Sequence, residues 1–192
     1  MRLAGRQRRG RGRSRLRGDR RYRLDADGLR QRHRGAYLST GSDFSVARIA
    51  RGDLARFRAM NRLFAEVFDD PESYASRPPD DAYAEALLAR ADTVLLAAEA
   101  DGEMIGALAG YILPKFEQAR SELYIYDLAV TESWRRRGVA TALIEETRRI
   151  AREAGVWVIY VQADTQPEDK PAIALYDKLG TREEVLHFDI AP

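Results

Sequence analysis

Cysteine is absent from this chain of 192 residues, which excludes disulfides, thiolate metal sites and a cysteine nucleophile. Histidine is nearly as scarce, with two residues, and no cluster of histidines and carboxylates has the spacing of metal ligands. No apolar run approaches the roughly 18 residues of a membrane helix, and no segment has the pattern of a secretory signal. We therefore expect a cytoplasmic protein that needs no metal and does not bind membranes.

The net charge of +2 conceals two segments of opposite sign. Residues 1–35 hold 14 arginines and three acidic residues, which leaves a net charge of −9 for residues 36–192. Residues 1–40 are rich in Arg and Gly and lack apolar periodicity, which predicts a disordered extension before a domain over 41–192. The acidic charge of that domain favours small cationic partners.

The extension has two interpretations. It is a nucleic-acid-binding or targeting arm, or it is a disordered extension without such a role, for which translation of upstream DNA from a misassigned start codon is one origin. We favour the second interpretation, because composition alone is weak evidence for binding, and nucleic acid is then not the expected partner.

The apolar pattern from Phe44 onward predicts a mixed α/β sheet flanked by helices, in the order β-α-α-β-β-β-α-β-α-β. We expect strands at 44–50, 93–100, 103–113, 122–130, 156–163 and 182–190. We expect helices after Asp53, through Tyr83 to Leu88, from Gly138 to Gly155 and from Pro171 to Gly180. Asp101-Gly102 predicts a two-residue hairpin turn. The continuous apolar run 156–163 predicts a strand buried on both faces.

Three arginines and a glycine, Arg135-Arg-Arg-Gly138, separate a predicted strand from a predicted helix. The first turn of a helix presents N–H groups without intrahelical partners and the positive end of the helix dipole. Glycine lets the main chain approach an anion closely, so the arrangement is typical of a pyrophosphate site. The Walker sequence and the GxGxxG fingerprint are both missing. A merely solvated basic helix start is the competing interpretation.

The Arg–Gly segment and the residues that follow it resemble a known sequence signature. Arg135-x-x-Gly138-x-Ala140 resembles the [Q/R]-x-x-G-x-[G/A] acetyl-CoA signature of the GNAT N-acetyltransferase superfamily, and the predicted element order is similar to that fold. A second match, to the family's fourth-helix motif, comprises Ala172, Leu175, Tyr176 and Gly180. Asp169 stands where such families often have Asn.

Longer stretches resemble the aminoglycoside 3-N-acetyltransferase (gentamicin acetyltransferase) subfamily. They read LAGYILPKFEQARSELYIYDLAV, VIYVQAD and ALYDKLGTREEVLHFDI. KFEQARSE and REEVLHFDI lie outside the generic acetyl-CoA motif and therefore point to the substrate. Residues 1–40 have no counterpart in this resemblance.

The resemblance implies acetyl transfer from acetyl-CoA, as co-substrate, to a primary amine at the 3-N position of an aminoglycoside, which gives antibiotic resistance. It also implies a homodimer. The pyrophosphate would be held by main-chain N–H groups of Arg137, Gly138, Val139, Ala140 and Thr141, with charge from Arg135 and Arg136. Pantetheine would pair with the main chain of Leu128, Ala129 and Val130, with Asp169 nearby.

Tyr176 matches the family's general acid for the departing thiolate. Asp127 interrupts an apolar strand, in which strict alternation would place it on one face with Leu123, Ile125 and Ala129. A carboxylate buried there is costly unless it is paired or functional. We interpret Asp127 as a general base or an anchor for the substrate ammonium, against the alternative of a structural carboxylate. Tyr126 is a neighbouring catalytic candidate.

A cationic aminoglycoside would also need several carboxylates. Our hypothesis for this acidic wall comprises Glu122, Glu183, Glu184 and Asp189. Two other functions stay open. The protein could be a GNAT acetyltransferase for another polyamine, amino sugar or protein amine, or an RNA-binding protein that acts through its arginine-rich extension.

Deletion of residues 1–40 tests the interpretation of the extension. Because these residues cannot bury enough apolar surface to fold, we expect the melting temperature and the acetyltransferase activity to equal those of the full chain. Thermal unfolding and thiol release measure the two quantities. A large loss of either would contradict the prediction.

Overall fold

A computed structural model of the protein describes residues 43–188, 190 and 191. The predicted extension over residues 1–40 lies outside this part of the chain. Five strands are formed: β1 (Ser45–Arg48), β2 (Thr93–Ala100), β3 (Glu103–Pro114), β4 (Ser121–Val130) and β5 (Val156–Val161). Five α-helices are formed: α1 (Leu54–Val67), α2 (Pro71–Tyr74), α3 (Asp81–Leu88), α4 (Val139–Glu153) and α5 (Lys170–Leu179). Among these described helices, none is long and apolar enough to cross a membrane.

The strands form one sheet in the order β1-β2-β3-β4-β5. The pairs from β1 to β4 are antiparallel, whereas β4 and β5 are parallel. The sheet is therefore mixed, and the predicted α/β class is confirmed.

Helices cover both faces of the sheet. The α1-side core joins buried residues of α1 and α3 to the small side chains of β2 and β3. The α4-side core joins buried residues of α4 to β2, β3 and β4, with α5 packed at its margin. In α4 the buried positions Leu143, Thr147 and Ile150 recur at helical spacing, which the sequence predicted. Thr147 satisfies its buried hydroxyl by donating to the carbonyl of Leu143 at 2.9 Å.

Two local predictions are confirmed. Asp101 and Gly102, between β2 and β3, have φ of 51° and 82°, and positive φ at both central residues is characteristic of the type I′ hairpin turn. Gly155, with φ of 66°, follows the last turn of α4. A residue in the left-handed region commonly ends a helix in this way.

Strand β4 contains a bulge that the sequence analysis missed. Asp127 pairs with Ala109 of β3, and Ile125 pairs with the next residue, Gly110, so that Tyr126 is the extra residue. A bulge of this kind reverses the alternation of side chains after it. The predicted strict alternation along this strand is therefore wrong.

The reversal is visible in the packing on the two faces. The α4-side core is contacted by Leu123, Ile125, Leu128 and Val130. Before the bulge these are odd-numbered positions, and after it they are even-numbered. Asp127 and Ala129 consequently lie on the α1 face. Asp127 thereby avoids the apolar α4-side core, where its carboxylate would lose hydration.

Two further predictions need correction. Residues 182–188 form no strand, and the side chains of Val185, Leu186 and Phe188 are exposed. Alternating apolar residues form a strand only where the edge of a neighbouring strand is available for pairing. Strand β5 is not buried on both faces, because Trp157, Val158 and Tyr160 are exposed. The turn-rich segment after α1 contains the short helix α2, which was not predicted.

The close approach of β4 to Gly110 at the bulge predicts that Gly110→Ala destabilises the protein. A Cβ at Gly110 would lie 3.0 Å from the carbonyl oxygen of Tyr124, a main-chain atom that cannot rotate away. Overpacking of this kind costs about 1–3 kcal/mol, so we expect the melting temperature to fall by several degrees. Gly180→Ala is the matched control, since its nearest atom would be 3.7 Å away. Equal thermal unfolding of both variants would contradict this account.

Candidate active site

A pocket lies between α1, the α2–α3 region and the α1 face of the sheet. Its apolar wall includes Phe57, Phe64 and Leu95. Its polar lining comprises Asn61, Ser73, Tyr74, Arg77, Tyr83, Tyr111 and Asp127. Asp127 is the carboxylate in this lining, so the pocket suits a ligand with a positive charge and an apolar body.

The Asp127 carboxylate is half-buried and hydrogen-bonded. The Tyr74 hydroxyl donates to Oδ1 of Asp127 at 2.9 Å. Burial raises the pKa of Asp127 above its ordinary value, while the hydrogen bond from Tyr74 lowers it. Burial and the same hydrogen bond raise the pKa of Tyr74, which keeps that phenol protonated as a donor. A partly desolvated carboxylate in a pocket can accept a proton or bind an ammonium group.

The sequence analysis missed Tyr74, because it assigned no helix or strand to the segment between the first two predicted helices. A signal was present in the order Asp70-Pro71-Glu72-Ser73. Asp is a preferred N-cap and Pro a preferred first helical residue, and in the structure the Asp70 carboxylate accepts the main-chain N–H of Ser73 at 3.0 Å. That pattern predicts a helical turn which ends at Tyr74.

Tyr126, the bulged residue, has a side chain that is 61% exposed. Its ring makes edge contacts with Tyr111 and Tyr124, at centroid distances of 6.1 and 5.6 Å. Its position beside Asp127 keeps it a catalytic candidate, but it does not share the hydrogen bond that joins Asp127 to Tyr74.

Strands β4 and β5 separate beyond the bulge. Strand β5 pairs with β4 from Ser121 to Ile125. The edge of β4 at Leu128, Ala129 and Val130 therefore has no strand partner on that side within residues 43–188. An unpaired strand edge offers main-chain groups to an extended ligand.

The turn after β4 exposes main-chain donors. Arg136 and Gly138 have φ of 61° and 87°, both in the left-handed region, and alternation of this kind aims successive N–H groups into an anion-binding concavity. Gly138 is the N-cap of α4 and supplies no capping side chain. The N–H groups of Val139, Ala140 and Thr141 at the helix start thus lack intrahelical acceptors.

The arginines of this turn differ in their contacts. Arg137 forms an ion pair with Asp43 at 3.3 Å, and its guanidinium lies 3.8 Å from the centroid of the Trp134 ring. Nε of Arg135 donates to the carbonyl of Val130 at 3.3 Å. Arg135 and Arg136 are both exposed. Main-chain donors and surrounding cationic charge fit a diphosphate, and the open edge of β4 fits the extended chain that coenzyme A attaches to it.

Tyr176 is half-buried on α5 and packs against the α4-side core. Burial raises the pKa of its phenol, and the negative charge of Asp169 adds to that effect. Asp169 is the N-cap residue of the same helix. A phenol with a raised pKa stays protonated at neutral pH, as a general acid requires.

Among the described residues of the predicted acidic wall, none lines the pocket that contains Asp127. Glu122 pairs with Lys115, with 3.3 Å between Nζ and Oε2, so its charge is already compensated. Glu183 and Glu184 are exposed in the irregular segment after α5. Asp189 lies outside the described residues. In the described part of the chain, no three carboxylates or histidines are grouped as metal ligands would be.

Comparison with protein families agrees with the fold described above. Residues 57–181 match the model of the acetyltransferase (GNAT) family. The chain belongs to this family. The GNAT match includes the pocket, the open edge of β4, the Arg–Gly turn and Tyr176.

Solved structures of related proteins have the same fold. An aminoglycoside acetyltransferase from an uncultured soil metagenomic sample is 50% identical, with a TM-score of 0.76, over 78% of this chain and 98% of that one. A second soil aminoglycoside acetyltransferase, in complex with sisomicin, is 29% identical with a TM-score of 0.71, over 78% of this chain and 97% of that one.

The curated relatives match over shorter lengths. An N-alpha-acetyltransferase of Sulfurisphaera tokodaii is 31% identical over 103 residues, which is 48% of this chain and 58% of that protein. The chain thus spans about half the length of the curated relatives that it matches.

Gly138→Ala tests the main-chain anion site. Gly138 and Gly102 both have φ above 80°, and a Cβ at either would meet no atom within 4 Å. Both alanine variants should therefore lose similar stability, about 1–2 kcal/mol from the left-handed backbone. Gly138→Ala alone should weaken coenzyme A binding, by about tenfold, because charge-assisted hydrogen bonds from the turn are disturbed. Calorimetry measures the Kd, and equal affinity of the two variants would argue against this site.

Proposed function

We propose that the protein transfers an acetyl group from acetyl-CoA to the 3-N amine of an aminoglycoside, with antibiotic resistance as the outcome. One observation carries the proposal: the Asp127 carboxylate lies in a pocket beside an open stretch of β4 that leads to the Arg–Gly turn. A cation-binding group and an anion-binding turn are thus connected by one strand. The 50% identical soil acetyltransferase, which aligns over 98% of its length, supports the acceptor class.

The two substrates would meet at the stretch of β4 that follows the bulge. Main-chain N–H groups from Arg137 to Thr141 would hold the diphosphate, and the β4 edge from Leu128 to Val130 would hold the extended pantetheine chain. The co-substrate supplies an activated acetyl thioester. Asp127 would then face the amine from the acceptor pocket, so that the protein fixes the relative positions of the two reactants.

Asp127 and Tyr176 would handle the protons. The acceptor arrives as an ammonium, which the Asp127 carboxylate attracts and deprotonates, so that the nitrogen lone pair can attack the acetyl carbon. As the carbon–sulfur bond breaks, the Tyr176 phenol would donate its proton to the departing sulfur. The nitrogen loses its second proton on becoming an amide, which balances the reprotonation of Tyr176 through solvent, and Asp127 releases its proton to solvent. The proposed reaction needs Tyr176 in its protonated form and Asp127 in its ionised form.

A substrate panel tests the proposed function. The full chain is incubated with acetyl-CoA and, separately, with gentamicin-type aminoglycosides, spermidine and peptides with a free N-terminus, and thiol release is followed. We expect turnover with the aminoglycosides, and NMR of the product should locate the acetyl group on the 3-N nitrogen. Turnover restricted to other amines, or acetylation at another nitrogen, would overturn the proposed substrate or position.

A second candidate is acetylation of a protein amine. Arg77 lines the same pocket as Asp127, and a cation there disfavours an acceptor with several positive charges. It would instead attract a carboxylate, such as that of an acidic peptide beside its own terminal amine. The matching relative from Sulfurisphaera tokodaii is named an N-alpha-acetyltransferase.

Arg77→Gln discriminates between these acceptors. For an aminoglycoside we expect KM to stay constant or fall, because a repulsive charge is removed. For an acidic peptide we expect KM to rise by about tenfold, as a charge-assisted hydrogen bond is lost. Arg62→Gln is the matched control, since Arg62 is an exposed residue of α1 outside the pocket lining.

Asp127→Asn tests the catalytic carboxylate. We expect kcat/KM to fall by at least about 100-fold, because general-base catalysis contributes about that much or more. The Kd for acetyl-CoA should be nearly unchanged, since Asp127 lies in the acceptor pocket. Glu153→Gln is the control for the loss of a carboxylate, because Glu153 is exposed at the far end of α4. Full activity of Asp127→Asn would make the assignment of Asp127 wrong.

A further inference from the structure

We propose that Tyr74 is a positioning residue for acetyl transfer, whose hydroxyl holds one oxygen of the Asp127 carboxylate and leaves the other to the acceptor amine. This inference rests on the proposed function of Asp127. It adds a residue that neither the Arg–Gly turn nor the α5 motif contains.

The contact itself is specific. The Tyr74 hydroxyl lies 2.9 Å from Oδ1 of Asp127, and both side chains are half-buried. Within residues 43–188, Tyr74 is the hydrogen-bond donor that the structure gives to this carboxylate. A carboxylate held by one oxygen cannot rotate freely, so Oδ2 keeps a fixed direction.

Tyr74 is itself held rigidly. Its ring packs against Phe64 and Phe68, at centroid distances of 5.5 and 5.8 Å. The helical turn that carries it is capped by Asp70, which accepts the N–H of Ser73. The hydroxyl therefore reaches Asp127 from an element that α1 and its own cap fix in place, and little rotamer freedom remains to be lost on substrate binding.

The hydrogen bond also acts on the charge of Asp127. Burial raises the pKa of that carboxyl, and donation by Tyr74 opposes the increase. Tyr74 thus favours the ionised carboxylate, which is the form that attracts an ammonium and accepts its proton. Loss of the hydroxyl should leave the effect of burial unopposed.

Other ionisable groups share the pocket and its margin. These groups are Arg77 after α2, Tyr83 on α3, Tyr111 on β3, and Tyr124 and Tyr126 on β4. A carboxyl group titrates in the acid range, well below the range in which phenols and guanidinium groups generally change charge. A titration in the acid range therefore reports on Asp127 among these groups.

The decisive variant is Tyr74→Phe, which keeps the packed ring and removes only the hydroxyl. Tyr160→Phe is the matched control, because Tyr160 lies on β5 and is outside the pocket lining. Carboxyl-carbon NMR titration, with the Asp127 signal assigned by its absence in Asp127→Asn, measures the carboxyl directly. We expect Asp127 to titrate at higher pH in Tyr74→Phe than in the wild type or Tyr160→Phe. An unmoved titration would overturn the proposal.

The pH profile of kcat/KM gives a second readout. Activity requires ionised Asp127, so the acid limb of the profile should move to higher pH in Tyr74→Phe. At pH values below the limb, kcat/KM of the variant should be about tenfold lower than that of the wild type, and at pH values above the limb the difference should be smaller. In the Asp127→Asn background, Tyr74→Phe should change kcat/KM less than twofold, whereas independent losses would mean that Tyr74 acts without Asp127. A wild-type protein without turnover on any amine would refute the proposed function, while the NMR comparison would still decide the role of Tyr74.

Discussion

The arrangement of this molecule depends on one extra residue in β4. Tyr126 interrupts the pairing with β3, and the alternation of side chains reverses behind it. The reversal lets Leu128 and Val130 contact the α4-side core and turns Asp127 toward the pocket on the other face. The pairing with β5 ends at the residue before the bulge. One local irregularity thus coincides with both the carboxylate in the pocket and the open strand edge.

Two groups suited to ligands of opposite charge follow this irregularity along the chain. At the Arg–Gly turn, main-chain N–H groups at a helix start are suited to an anion, and they require no ionisable side chain. In the pocket, a half-buried carboxylate is suited to a cation. The strand between them is short, so the anionic part of one ligand and the cationic part of another would be held at a defined separation. That separation is what a transfer reaction between two bound molecules requires.

The acceptor side is assembled from distant parts of the sequence. Tyr74 and Asp127 are 53 residues apart, and their hydrogen bond joins α2 to the middle of the sheet. The cofactor side is local by comparison, because β4, the turn and α4 follow one another directly. This difference explains why the family signature covers the turn, whereas the pocket around Asp127 is formed only when distant elements pack together.

The sequence by itself determined the elements whose signals are local. Helical periodicity defined α4, Asp101-Gly102 defined its hairpin turn, and the Arg–Gly sequence marked the turn that leads into the start of α4. Only the tertiary structure decided the face on which Asp127 lies, its bond to Tyr74 and the irregular course of residues 182–188. A bulge is defined by pairing with another strand, and a hydrogen bond across 53 residues depends on how the elements pack. The bulge shifts the alternation of apolar residues in β4 by one position, but the pairing with β3 decides at which residue the shift occurs and which face each side chain takes.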